Sequence, residues 1–139
     1  MTSCKVKVKK SKLDYFRRLA RSSALEVEAY LVGKVISPTL VVVDRFAYTK
    51  NYKHQEIDAV QWHDNELAEI SNKAQEEELA VIGSIHSHIN CMPVLSETDH
   101  TACVTGQLRV IGVCSVINGK TKVYFWTADS SLACDIIYA

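Results

Sequence analysis

The segment Ile85-His86-Ser87-His88-Ile89-Asn90-Cys91-Met92-Pro93-Val94-Leu95-Ser96-Glu97-Thr98-Asp99 follows directly on an apolar run, Leu79-Ala80-Val81-Ile82-Gly83-Ser84. A short apolar run of this kind predicts a strand, here over 80–88. Side chains alternate along a strand, so His86 and His88 share one face and direct both imidazoles at one place. Ser96-Glu97-Thr98-Asp99 fits the S-x-x-[DE] capping box, which predicts a helix from Glu97 to Val104 or Thr105. Asp99, eleven residues after the second histidine, then stands just inside that helix and swings back toward the imidazoles. Two imidazoles and one carboxylate are the three-ligand set of a catalytic zinc, with the fourth position left to water.

Downstream, Gly106 closes the helix and Leu108–Ile117 reads as a buried strand. Asn118-Gly119 is a strong two-residue hairpin signal, so Lys122–Thr127 is predicted to pair back antiparallel. Leu132–Tyr138 is a last strand or helix. Upstream, Asp64 or Asn65 caps a helix over 66–79, with Leu67, Ile70, Ala74 and Leu79 facing inward and Glu76, Glu77 and Glu78 in solvent. Thr49–His63 is polar with scattered aromatics, Tyr52 and Trp62 among them, and reads as an irregular crossing loop. Glu26–Ile36 and Leu40–Tyr48 are rich in β-formers and are separated by Ser37-Pro38-Thr39, which predicts a hairpin. Lys5–Lys9 alternate polar and apolar as a first short strand. Ser11 is placed to cap a helix over 12–22 whose buried stripe is Leu13, Phe16, Leu19 and Ala20.

With 139 residues, 47% of them apolar and 23% charged, the chain is expected to form one globular domain over 1–139. No stretch approaches the roughly 18 uninterrupted apolar residues of a membrane span, and no signal-peptide core is present. A cytoplasmic protein without membrane contact is the expectation. The five cysteines (Cys4, Cys91, Cys103, Cys114, Cys134) include no C-x-x-C pair, so reduced thiols are expected rather than a disulfide framework or a thiolate zinc cluster. The first 21 residues carry eight Lys/Arg against Asp14 alone. Aromatic residues are not interleaved with these lysines, which disfavours nucleic acid. Lys-Val-Lys-Val-Lys instead reads as a strand with one charged face that guards a sheet edge.

His86-x-His88 followed by Ser96 and Asp99 resembles the H-x-H-x7-S-x2-D signature of the JAMM/MPN (JAB-domain) zinc metallopeptidases. In that family a glutamate on an early strand lies seven residues before a glycine, in patterns such as E-x-x-G-x-L-x-G. Glu26 to Gly33 has this spacing with Leu31 in place, although Ala29 stands for the first glycine. The chain also departs in having Ile89 directly after the second histidine, where family members usually have proline. The resemblance covers nearly the whole chain and is closest to compact prokaryotic or phage-type members. It implies an α/β fold of the layered, cytidine-deaminase-like MPN/JAMM type, a mixed and mostly antiparallel curved sheet flanked by helices. It further implies zinc held by His86, His88 and Asp99, Glu26 as general acid/base and Ser96 as oxyanion donor. The implied reaction is hydrolysis of an amide or isopeptide bond at the C-terminal tail of ubiquitin or a ubiquitin-like protein, for deconjugation or precursor maturation.

Plainer explanations stand beside each of these. His86 and His88 are also ordinary strand-end polar residues, Ser96 and Asp99 also make a helix cap, and Glu28 shares the strand face of Glu26. Cys91 is either a loop thiol packed on the core or a soft group within reach of the zinc. His100 is assigned to solvent or to the surroundings of the metal, and His54 and His63 to the surface. Two alternative functions remain in view: a non-catalytic MPN scaffold subunit, and a zinc hydrolase acting on a small peptide or amino-acid carrier. A nucleobase deaminase is disfavoured by the missing H-x-E and P-C-x-x-C signature.

Overall fold

A computed structural model describes residues 4–90, 109–127 and 132–139. Its elements, in chain order, are β1 (Cys4–Val8), α1 (Lys10–Ser22), β2 (Glu28–Ser37), β3 (Leu40–Ala47), β4 (His54–Gln55), β5 (Val60–Gln61), α2 (Asp64–Glu76), β6 (Ala80–Ile89), β7 (Val110–Ile117), β8 (Lys120–Thr127) and β9 (Ala133–Tyr138). The proposed helix over 97–105, and with it Ser96 and Asp99, lies outside the described residues.

Seven strands form one mixed sheet in the order β1-β3-β2-β6-β7-β8-β9, and β9 pairs with β1 to close it. The expected curvature is therefore carried to full closure. The β1–β3, β1–β9 and β6–β7 pairs are parallel, and the other four are antiparallel. This overturns the reading of the lysine strand as an edge guard. β1 has a partner on each side, and Lys5 and Lys7 are its solvent face, while Cys4, Val6 and Val8 point into the core. Lys5 stands level with Asp135 of β9, an opposite-charge neighbour of the kind that favours a cross-strand pair.

One apolar cluster fills the inside. Leu13, Phe16 and Ala20 of α1 pack there with Val6, Val8, Ala29, Leu31, Ile85 and Phe125, and Leu19 lies against it. Each large side chain so buried stabilises the fold by about 1.5–3 kcal/mol. The helical spacing of that stripe was legible, but the caps were not. α1 starts one residue out of β1 with Lys9 at the N-cap and no side-chain cap bond, so Ser11 does not cap it. α2 likewise begins with His63 at the N-cap, and Asp64 and Glu66 place negative charge in its first turn instead. It ends at Glu76, because Glu78 adopts φ 60° and Leu79 N–H turns back to the Ala74 carbonyl. Only Ala74 of α2 is fully buried, and Leu67, expected inside, is exposed.

The Asn118-Gly119 hairpin forms as expected, with φ of 52° and 75° at its two central residues. Positive φ at both is the type I′ geometry that matches strand twist. Gly33 matters for a different reason. A Cβ there would run into the Val42 carbonyl, so only glycine lets β3 approach β2 at the bulge beside Val32. The Thr49–His63 crossing is irregular apart from the two short strands β4 and β5, which pair with each other. Cys4, Cys114 and Cys134 are buried and outside any disulfide, as expected; Cys91 and Cys103 lie outside the described residues. Burial pushes the Cys114 thiol up to about 11.

Candidate metal centre

β6 runs between β2, antiparallel, and β7, parallel. Its alternation sends Ile85 into the apolar cluster and directs His86 and His88 to the opposite face. The two Nε2 atoms stand 3.0 Å apart, with ring centroids 4.9 Å apart. Two nitrogens on one tetrahedral zinc, each at about 2.0–2.1 Å, lie about 3.3 Å from one another. The imidazole pair is thus spaced to share one ion, and imidazole is a ligand that suits zinc. Among the described residues no third His, Cys, Asp or Glu joins the pair in a metal-holding group. The remaining ligand of the sequence reading, Asp99, lies outside the described residues, as does the oxyanion donor Ser96.

Residues directly opposite one another in an antiparallel ladder share a face. Glu28 is opposite His86, so its side chain leaves the sheet on the imidazole side. One step further, Ser87 N–H donates to the Val27 carbonyl at 2.9 Å and Val27 N–H donates to Ser87 Oγ at 2.9 Å. Glu26 is only 7% exposed and is not part of the apolar cluster. It also lies just ahead of β2, which begins at Glu28 rather than at Glu26 as expected. Glu28 thus shares a face with His86, Glu26 lies two residues earlier, and among the described residues neither joins the imidazoles in a metal-holding group.

Several residues around this site escaped the sequence reading. Tyr52 and Gln55, from the crossing loop, bond the backbone of Glu28 and Glu26. Trp62 packs edge-on against both Tyr30, at 4.7 Å between centroids, and Tyr52, at 6.2 Å. Their only local signal was that Tyr52 and Trp62 are aromatics in a polar segment. Burial raises the Tyr30 phenol to about 12, and the Glu28 and Glu66 carboxylates add to the effect. Ser115 of β7 is buried and stands level with His88, a position read beforehand only as part of an apolar strand. His54 and His63 are exposed, as expected.

The profile of a protein family described as prokaryotic homologs of the JAB domain matches residues 10–129. No curated protein matches the chain. Solved structures that share its fold include the following three. A protein of Desulfitobacterium hafniense solved in solution superposes with a TM-score of 0.74 at 17% identity, covering 96% of this chain and 92% of that one. A protein of Salinibacter ruber, also solved in solution, gives 0.63 at 20% identity, with coverage of 96% and 91%. The crystal structure of a JAB1/MPN domain protein from Archaeoglobus fulgidus gives 0.60 at 13% identity, with coverage of 94% and 98%.

Proposed function

The chain belongs to the prokaryotic homologs of the JAB domain, and from that membership we propose that it is a zinc-dependent peptidase of the JAMM type. Its substrate in this reading is the amide or isopeptide bond at the C-terminal tail of ubiquitin or a ubiquitin-like protein. The observation that carries the proposal is the His86/His88 pair, with Nε2 atoms 3.0 Å apart on one face of β6. His86, His88 and Asp99 would hold the ion, which when bound would supply a Lewis acid that makes water nucleophilic near neutral pH. Glu26 accepts a proton from water and delivers it to the departing amine. Ser96 donates its hydroxyl to the oxygen on which negative charge develops. Among the described residues no helix is long and apolar enough to cross a membrane, and the proposed partner is a protein tail rather than a lipid or a nucleic acid.

The test combines zinc content with cleavage of ubiquitin-like C-terminal fusions and of free peptides, for the wild type and Glu26→Gln. One zinc per chain retained in the variant, with kcat down roughly 10²–10⁴-fold, is the expected result. Wild-type protein that takes up no zinc, or a variant that cleaves like the wild type, overturns the mechanism. Absence of zinc promotes the non-catalytic scaffold, and free peptides cleaved as well as fusions favour a small carrier substrate.

A further inference from the structure

β3 accompanies β2 only as far as the Ala47–Tyr30 pair. The backbone groups of Glu28 and Glu26 that point away from β6 thereby lose their strand neighbour, and buried polar backbone without a partner is costly. The crossing loop takes the place of the strand. Tyr52 Oη accepts the Glu28 N–H at 2.9 Å and donates to the Glu28 carbonyl at 3.1 Å. Gln55 Nε2 donates to the Glu26 carbonyl at 3.0 Å, and the Glu56 carbonyl accepts the Glu26 N–H at 2.8 Å. Val27, between them, bonds Ser87 of β6 on the other side. Glu26 is thus held on both flanks by named atoms rather than by a continuous ladder.

The Tyr52 hydroxyl is itself held. Its ring lies edge-on to Trp62, at 85° between planes, and Trp62 is 6% exposed and braced in turn by Tyr30. Burial raises the Tyr52 pKa, so the phenol keeps the proton it donates. We propose that Tyr52, assisted by Gln55, is a positioning residue for Glu26, fixing the backbone segment that carries that carboxylate. The proposal rests on Glu26 being the acid/base of the reaction above. Rates of proton transfer depend on such placement, since small displacements of a catalytic group have large kinetic cost.

Tyr52→Phe removes the hydroxyl and keeps the ring on Trp62. In the zinc-loaded full chain acting on a ubiquitin-like fusion, it is expected to keep one zinc and a KM within about twofold, and to lower kcat about tenfold or more. Made in the Glu26→Gln background, the same change is expected to cost less than about twofold, because residues acting through one another are not additive. Gln55→Leu, which leaves the ring pair untouched, repeats the pattern more weakly. In metal-free protein, the Glu28 amide is expected to exchange at least about tenfold faster in Tyr52→Phe, while that of Val32, deep in β2, is unchanged. Three results overturn the proposal and leave the Glu26 reading standing: an unchanged kcat in Tyr52→Phe beside a crippled Glu26→Gln, equal losses in both backgrounds, or unchanged Glu28 exchange. A Glu26→Gln protein as active as the wild type removes the reading and the proposal together.

Discussion

Glu26 and Val27 are adjacent and almost equally buried, at 7% and 4% exposed, yet only Val27 belongs to the apolar cluster. Val27 enters the apolar cluster with Ala29, Leu31 and Ile85. Glu26, one residue earlier, is buried outside that cluster, and Glu28, one residue later, faces His86 across the ladder. The alternation of a strand sends Ile85 into the apolar cluster and His86 and His88 away from it, and a slip of one residue would exchange them. Register is therefore worth protecting here. The bulges at Leu31/Val32 and Val32/Gly33, and the close approach at Gly33, pin it.

The two faces should respond oppositely to substitution. On the imidazole face, His88→Ala is expected to weaken zinc binding at least about a hundredfold and to abolish cleavage, since losing a ligand costs more than losing a ligand's support. The urea midpoint of the metal-free protein should barely move, because His88 is only half-buried. On the apolar face, Leu31→Ala is expected to cost about 2–5 kcal/mol in urea unfolding while the folded fraction keeps its zinc. A zinc site lost with Leu31, or a stability collapse with His88, would break the division between the faces.

The smallest effect sharpens the comparison, because weak acids raised by burial include Cys114 in the apolar cluster and Tyr30 outside it. Cys114 is raised from 9.0 to about 11 in the core, and Tyr30 from 10.0 to about 12 beside Trp62. Both folded values exceed the unfolded ones, so the unfolded chain loses its protons first. The corresponding stability is complete below about pH 9 and is lost as pH rises through about 11 and then about 12. Urea midpoints measured from about pH 8 upward should fall along this course, with Cys114→Ala flattening the earlier part and Tyr30→Phe the later part. Midpoints that stay level in the wild type would mean that neither group is shielded by the fold.

What was legible beforehand was local and periodic. Alternation placed β1 and β6 and put the two histidines on one face, helical spacing picked out Leu13, Phe16 and Ala20, and Asn118-Gly119 marked its hairpin. Helix caps were misread at Ser11 because Lys9 passes from β1 into α1 with no residue to spare. Ser96 and Asp99 were read from a spacing that falls outside the described residues.

The sequence by itself determined which side chains alternate and which motif they spell, since these depend on neighbours one to four residues away. Only the tertiary structure decided that the lysine strand is enclosed rather than at an edge, for that follows from β1 meeting β9, the two ends of the chain. It likewise decided that Tyr52 and Gln55 hold the segment carrying Glu26, through bonds spanning 24 and 29 residues. The physical reason is the same in both cases: a backbone hydrogen-bonding group must be satisfied by whatever the folded chain brings beside it, and no local pattern records which residue that is.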